Sequence, residues 1–205
     1  MVEKKSEPRK RGRPRSFNTD EALDAAVGVF WREGYDGADT ASLAAAMGLT
    51  KPSVYAAFGD KRSLFSHALR RYGETIGAEA VLAFDAGQDI ESAVAVFFAT
   101  LVTTQSGERG AQGCLFACVA AQCAETMPEV QSVLGQSLES GQAHFAERLE
   151  KAIRDGELPD DFPVQRRARL MVDLMQASAI RARSGVGKDE LIGLARENAD
   201  MVLGR

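Results

Sequence analysis

Apolar residues recur at steps of three and four along most of the chain, and this spacing constrains the fold more than any other feature. In the first such segment the apolar positions are Leu23, Ala26, Val27, Phe30 and Trp31, which form one stripe along a helix. Alternation of apolar and polar residues is not sustained, and the sequence has no Asn-Gly hairpin turn. The pattern therefore predicts an all-α protein.

Glycine, proline and short polar segments divide this pattern into helices. We predict helices over residues 19–33, 40–47, 51–58, from 60 onward, 74–84 (continuous with the one before it), 90–105, 114–125, 128–154, 163–183 and 188–203. Three units follow: a basic flexible arm over residues 1–15, a helix-turn-helix domain over 16–76 whose motif spans 39–58, and a larger helical domain over 77–205.

Composition limits the class of protein. The chain has 205 residues, of which 45% are hydrophobic and 26% charged, a balance typical of globular proteins and too apolar for a disordered chain. It has no run of about 18 apolar residues that would span a membrane, and the basic N-terminus lacks the apolar segment of a secretory signal. The three cysteines do not suit a disulfide framework. We therefore expect a cytoplasmic protein without a membrane partner.

Charge is distributed unevenly along the chain. Residues 1–72 hold thirteen Lys and Arg against nine Asp and Glu, whereas residues 73–205 hold twelve against twenty. Seven of the basic residues lie within the first sixteen positions. A basic tail joined to a mildly basic segment favours a polyanionic partner such as nucleic acid. A solvated tail without a partner is the alternative.

The segment over residues 40–61 predicts a helix-turn-helix. Gly48 can adopt positive φ, so the chain can reverse direction between two short helices. In the second helix Val54, Ala57 and Phe58 fall on the inward side, and the opposite side carries no acidic residue. Such a face suits the major groove of DNA, because a carboxylate there would lie close to phosphate. An ordinary helical hairpin with a polar face is the alternative.

The same residues carry a family resemblance. Over residues 17–72 the sequence resembles the DNA-binding domain of the TetR family of bacterial transcriptional regulators. The matching features are the letters TASLAAAMGLTKPSVYAAFGDK over residues 40–61, preceded by Phe30…Gly34-Tyr35 and followed by Leu64-Phe65. Beyond residue 73 the resemblance is confined to length, helical character and a Gly113-Cys114-Leu115 helix start. It implies an N-terminal three-helix DNA-binding domain followed by a larger C-terminal domain for ligand binding and dimerisation.

By this resemblance, several residues of the motif would contact DNA. Phosphate contacts are implied for Thr50, Tyr55 and Lys61, base-edge contacts for Lys51 and Ser53, and a backbone contact for Thr40. Pro52 stands where glycine is frequent, and Ala56 replaces a larger residue, so few polar groups are left to read bases. We therefore expect DNA shape to contribute much of the specificity.

Within the arm, the run Arg11-Gly12-Arg13-Pro14 is similar to the core of an AT-hook. Arginines of such a segment enter a narrow A/T minor groove, while glycine permits close approach and proline keeps the backbone extended. We predict that Arg11 and Arg13 bind the minor groove beside the helix-turn-helix. A basic tail that adds only phosphate affinity is the alternative.

The larger domain is expected to bind a second copy of the chain and a small molecule. A single helix-turn-helix contacts little DNA, so such modules usually act as dimers. The resemblance implies a dimer interface from the last two helices, with Leu170, Leu174, Met175, Leu191 and Leu194 as candidates. It also implies a ligand pocket among the middle helices, with walls from Phe97, Phe98, Leu101, Phe116, Val119 and Phe145. Internal core packing is the alternative for both sets.

We thus expect a dimeric repressor that a small-molecule effector releases from double-stranded operator DNA. Two alternatives stay open: thiol-based metal or redox sensing through Cys114 and Cys118, which share one face of a helix, and ligand-independent DNA binding. An enzyme is not expected, because His67 and His144 lie in no nucleophile or metal motif. No cofactor and no metal site is predicted.

Overall fold

A computed structural model of the chain describes residues 17–108 and 110–205, and all regular structure in these residues is helical, as predicted. A 3₁₀ turn (Ile76–Ala78) follows the helix Lys61–Glu74, and a π-helix (Phe116–Ala120) precedes the short helix Ala121–Cys123. In the described part of the chain, no helix is long and apolar enough to cross a membrane. The α-helices are α1 (Thr19–Gly37), α2 (Thr40–Ala46), α3 (Lys51–Phe58), α4 (Lys61–Glu74), α5 (Glu79–Asp85), α6 (Ile90–Gln105), α7 (Ala121–Cys123), α8 (Pro128–Arg154), α9 (Val164–Arg183) and α10 (Lys188–Leu203).

Side-chain caps explain where the first four helices begin. Asn18, Asp39, Thr50 and Asp60 each stand before a helix and accept backbone amide hydrogens of its first turn. Gly34, with φ 75° and ψ 175°, ends the regular part of α1, as predicted, and the last residues form a separate short turn. The predicted bounds of α3, α6, α8 and α10 are confirmed.

Two segments that were predicted as continuous helices are interrupted. The helix expected to continue α4 through residue 84 is interrupted, because Thr75 leaves the helical region (φ −116°, ψ −99°) and the 3₁₀ turn separates α4 from α5. The Thr75 hydroxyl donates to the Arg71 carbonyl at 2.7 Å, which satisfies an acceptor at the helix end. The helix expected over 114–125 contains the π-helical turn before α7. Apolar spacing does not reveal such single-turn changes in backbone hydrogen bonding.

Two apolar clusters form the core. The first packs α1–α4 around Phe30 and Phe65, whose ring centroids are 4.8 Å apart, and it extends to Val119 in the π-helix and Val130 in α8. The second packs α5, α6, α8, α9 and α10, and its Phe97 is in ring contact with three other phenylalanines. The core around α1–α4 thus reaches beyond residue 76, and α8 contributes to both clusters.

Candidate nucleic-acid interface

The helices α2 and α3 form the helix-turn-helix around a tight turn at Gly48. The φ of Gly48 is 64°, and the Leu49 amide donates to the Ala44 carbonyl at 2.9 Å, so the chain changes direction within a few residues. Leu43 and Val54 are buried in the first apolar cluster. This burial fixes the orientation of α3 relative to α1 and α2.

One side of α3 is exposed along its length. The exposed positions at and after its N-cap include Thr50, Lys51, Pro52, Tyr55 and Ala56, and Tyr55 keeps 50% of its surface accessible. The helix contains no acidic residue. This face can therefore approach phosphate groups without repulsion between like charges.

The buried side of α3 is narrower than predicted. Val54 and Phe58 are buried, but Ala57 is exposed, so the expectation that Ala57 points inward is wrong. The Phe58 ring packs against Phe17 and His67 at centroid distances of 6.0 and 6.1 Å. Because α3 has only eight residues and packs on one side, it buries two positions one turn apart and leaves its flanks exposed.

The structure brings the predicted DNA contacts of α2 and α3 together in pairs. The Thr40 hydroxyl lies 3.5 Å from the Tyr55 hydroxyl, which joins the two helices at one surface. Thr50 accepts the Ser53 amide hydrogen at 3.3 Å, and the two hydroxyl oxygens are 2.9 Å apart. The start of α3 thereby presents hydroxyls and the positive end of the helix dipole, a combination that suits a phosphate.

Lys61 is held at the start of α4 by two neighbours that the sequence did not reveal. Its Nζ lies 4.6 Å from the centroid of the Tyr35 ring and donates to the Asp36 carbonyl at 3.5 Å. Burial raises the pKa of Tyr35 above its usual value, so this phenol stays neutral and offers an aromatic face to the cation. These contacts fix the position of Lys61, which is predicted to contact a DNA phosphate.

One carboxylate interacts with this surface, and the sequence interpretation overlooked it. Asp39 caps α2, and its Oδ1 accepts the amide hydrogens of Ala41 and Ser42 at 2.6 and 2.9 Å. These hydrogen bonds, with a smaller contribution from the charge of Lys51, hold the pKa of Asp39 below its usual value. Asp39 therefore stays ionised, and Lys51 of α3 partly compensates its charge.

The residues predicted to line a ligand pocket divide between the two apolar clusters. Phe97 and Phe145 touch at a centroid distance of 5.0 Å in the second cluster, which also contains Phe98 and Leu101. Val119 belongs to the first cluster, and Phe116 packs against it, in contact with the Tyr72 ring. Five of the six side chains are thus buried core residues of two different parts of the fold, and Phe116 is partly buried.

The predicted dimer residues lie on α9 and α10 with different exposure. Leu191 is buried within the chain, while the others are partly exposed, namely Leu170, Leu174, Met175 and Leu194. Two further apolar side chains on these helices are exposed, Ile180 and Met201, which keep 57% and 47% of their surface accessible. Arg11 and Arg13, predicted to bind the minor groove, lie outside the described residues.

The three cysteines are free thiols, of which Cys114 and Cys123 pack against the first apolar cluster and Cys118 is buried. Cys114 hydrogen-bonds with Tyr72, and burial raises the pKa of both groups. The Cys118 Sγ lies 3.7 Å from the Ala179 carbonyl oxygen of α9. A raised thiol pKa keeps Cys114 in its less reactive protonated form at neutral pH. No group of three or more His, Cys, Asp or Glu within residues 17–108 and 110–205 could hold a metal ion.

The sequence is similar to known bacterial regulators over most of its length. The family model for bacterial regulatory proteins of the tetR family matches residues 22–68, and the model for a tetracyclin repressor-like C-terminal domain matches residues 78–196. The HTH-type transcriptional repressor ComR of Escherichia coli K12 is 31% identical over 191 residues, which cover 90% of this chain and 89% of ComR. The HTH-type transcriptional repressor BdcR of the same strain is 42% identical over 81 residues, or 40% of this chain and 39% of BdcR.

A solved structure with bound DNA shares the same architecture. A cysteine-substituted TetR-family regulator CifR in complex with 26-base-pair operator DNA has a TM-score of 0.83 and 29% sequence identity, covering 91% of this chain and 98% of CifR. The first family model ends within α4 and the second begins at the end of the 3₁₀ turn. That boundary coincides with the interruption between α4 and α5.

Proposed function

Because the chain belongs to the TetR family of bacterial transcriptional regulators, we propose that it acts as a dimeric repressor that leaves its operator when a small molecule binds the C-terminal domain. Regulators of this type bind operator DNA and are in general not enzymes. The exposed, carboxylate-free face of α3 carries the proposal, because the predicted contact residues Thr50, Lys51 and Tyr55 are exposed there. ComR and BdcR are both repressors, which supports repression as the sign of regulation.

Dimerisation would place two copies of α3 on one side of a duplex. Paired helix-turn-helix modules contact half-sites about one helical turn apart, or a multiple of that distance. The exposed Ile180 and Met201 support a dimer through α9 and α10, since both would be covered in such an interface. Sedimentation of the purified protein should give twice the chain mass of 22.0 kDa. A monomer at concentrations that saturate the operator would contradict this part of the proposal.

The arm adds a second DNA contact, in which Arg11 and Arg13 enter the minor groove. Deletion of residues 1–15 is expected to weaken operator binding and to flatten the plot of log affinity against log salt concentration. The reason is that fewer phosphate contacts release fewer counterions on binding. A truncated protein with an unchanged salt slope would show that the arm does not contact DNA.

The main test places a carboxylate on the exposed face of α3. Footprinting of the purified protein on genomic DNA first identifies the operator. Ala56→Glu is then expected to reduce operator affinity by at least about 100-fold, because like charges brought together at an interface cost several kcal/mol. Ala143→Glu, at an exposed alanine of α8, is the matched control and should bind as the wild type does. Equal affinities of the two variants would refute the interface.

Thiol sensing is the second candidate. The contact of Cys114 with Tyr72 favours it, and the raised pKa of Cys114 opposes it. The hydrogen bond between Cys114 and Tyr72 places this thiol against the core of the DNA-binding part. The raised pKa of Cys114 opposes sensing, because the thiolate is the reactive and metal-binding form. If Cys114→Ser and Cys118→Ser leave the effector response unchanged, thiol sensing is rejected. Saturable binding of a small molecule that alters operator affinity would likewise reject ligand-independent DNA binding.

A further inference from the structure

The helices α6 and α10 enclose a cavity of about 330 Å³. Small side chains from both helices line it, among them Ala95, Ala99, Ala195 and Ala199. Ala95 and Ala99 are exposed, so the cavity opens to solvent beside α6. Its volume lies within the range of small-ligand pockets, about 300–1,000 Å³. A small apolar group could therefore enter without displacing any core side chain.

The charged residues that line this cavity are both basic. Lys188 and Arg196 contribute to the lining, and no acidic side chain does. Lys188 is already paired with Glu108 at 2.7 Å. Arg196 is exposed and, within the part of the chain that the structure describes, has no ion-pair or hydrogen-bond partner for its side chain. A guanidinium offers parallel N–H donors that match a carboxylate.

The cavity and the proposed dimer face lie on different sides of α10. Successive residues of an α-helix are rotated by about 100°, which separates Ile192 and Arg196 from Leu194 and Met201 by roughly 140–180°. Ile192 and Arg196 line the cavity, whereas Leu194 and Met201 do not. A dimer formed through Leu194 and Met201 would therefore leave the cavity accessible.

The interior of the same domain is closed by aromatic rings. Phe84, Phe97, Phe98 and Phe145 are each at most 1% exposed. Their centroids lie 5.0–6.0 Å from one another in four ring contacts. Opening a ligand site there would require these packed rings to separate and would break their contacts. The space between α6 and α10 is already open and requires no such change.

We propose that the cavity between α6 and α10 binds a small amphipathic carboxylate, with its apolar part between the alanines and its carboxylate on Arg196. The inference rests on the proposed function and deepens it, because it gives the effector a site and a chemical class. A ligand there would act on α10, which packs against α9. Arg183 of α9 donates to the Trp31 carbonyl of α1 at 2.9 Å, which connects this helix pair to the DNA-binding part.

Octanoate is the probe, and 1-octanol is its uncharged analogue of equal chain length. In titration calorimetry, octanoate should bind the wild-type protein saturably and at least about tenfold more tightly than octanol, because charged hydrogen bonds contribute more than neutral ones. Arg196→Gln should weaken octanoate binding about tenfold and leave octanol binding unchanged. Arg166→Gln, at an exposed arginine of α9, is the matched control and should bind octanoate normally.

A second pair of variants tests the cavity itself. Ala99→Phe fills the space from an exposed position and should weaken binding of both probes at least about tenfold, through loss of the apolar site. Ala143→Phe, at an exposed alanine outside the cavity lining, should leave both affinities unchanged. If octanoate fails to bind the wild type, or binds all four variants equally, the assignment of the site is wrong.

Operator binding separates this inference from the proposed function. Ala99→Phe and Arg196→Gln should bind operator DNA as the wild type does without octanoate, and octanoate should weaken only the wild-type complex and the two control complexes. Octanoate that occupies the cavity without changing operator affinity would overturn its role as the effector site. A wild-type protein that binds octanoate but no operator would refute the proposed function and leave the carboxylate site standing.

Discussion

The N-terminal and C-terminal parts of the chain each pack around an apolar cluster, but their helices begin in different ways. In α1–α4, Asn18, Asp39, Thr50 and Asp60 cap four successive helices with local hydrogen bonds. Among α5–α10, only α6 begins at a capping side chain, that of Asp89, and the long helices α8, α9 and α10 have none. Polar side chains therefore fix where the helices around the helix-turn-helix begin, whereas the long helices of the C-terminal part depend on apolar packing without such caps.

Removing one aromatic ring from each apolar cluster should lower the free energy of unfolding more than any other change, and it tests whether the two parts unfold together. Phe65→Ala and Phe97→Ala should each lower the free energy of unfolding by about 3–5 kcal/mol, because both rings are fully buried. Urea unfolding followed by circular dichroism measures the change. Since α8 contributes to both clusters, each variant should unfold in one cooperative transition. Two transitions, of which each substitution shifts only one, would mean that the parts unfold independently.

The N-terminal part was predictable from sequence to the extent that its signals are local. The turn at Gly48, the cap at Thr50 and the bounds of α3 all follow from residue types that act on backbone within a few positions. The contact of Lys61 with the Tyr35 ring was not predictable, because it joins residues of different helices. The spatial arrangement of the DNA surface depends on such contacts, which spacing along the sequence does not encode.

In the C-terminal part, the helices could be predicted but the sites could not. An apolar stripe has the same sequence pattern whether it faces a core, a second subunit or a ligand. Leu191, a predicted dimer residue, is buried within the chain, whereas Ile180, which is not among the predicted residues, is exposed. The predicted pocket residues are mostly aromatic, whereas the cavity is lined by alanines such as Ala99, because a cavity forms where side chains are small.

Two arginines connect the N-terminal and C-terminal parts of the chain. Arg183 donates to the carbonyls of Trp31 and Gln112 at 2.9 and 3.1 Å. Arg62 pairs with Glu129 at 2.9 Å and donates to the Thr126 carbonyl at 3.2 Å, and the Arg62 and Glu129 side chains are 46% and 39% exposed. Arg183→Met should lower the free energy of unfolding by about 1.5–3 kcal/mol, as expected for charged hydrogen bonds. Arg62→Met should lower it by less than about 1 kcal/mol, because solvent screens this pair. Equal losses in urea unfolding would contradict the greater importance of Arg183.

The capping carboxylates of Asp39 and Asp89 should each make a small contribution to the pH dependence of Tm in acid. Backbone amides of the first turn hold the pKa of each carboxylate below its usual value of 3.8. A lowered folded-state pKa adds stability above the unfolded-state pKa, and this stability is lost as the pH falls through the folded-state value. Asp39→Asn and Asp89→Asn keep a capping oxygen but do not titrate, so each should flatten the fall of Tm below about pH 4. Asp161→Asn, an exposed residue away from any cap, should follow the wild-type curve.

The same two variants distinguish a cap that borders the DNA surface from one that only begins a helix. The charge of Asp39 interacts with Lys51 of α3, whereas Asp89 lies at the start of α6. Removing the Asp39 charge should therefore raise operator affinity at neutral pH, measured by fluorescence anisotropy at low salt, where surface charges are least screened. Asp89→Asn should leave operator affinity unchanged. If both variants bind the operator equally, Asp39 lies outside the surface that contacts DNA. That surface would then be limited to α3 and the residues next to it.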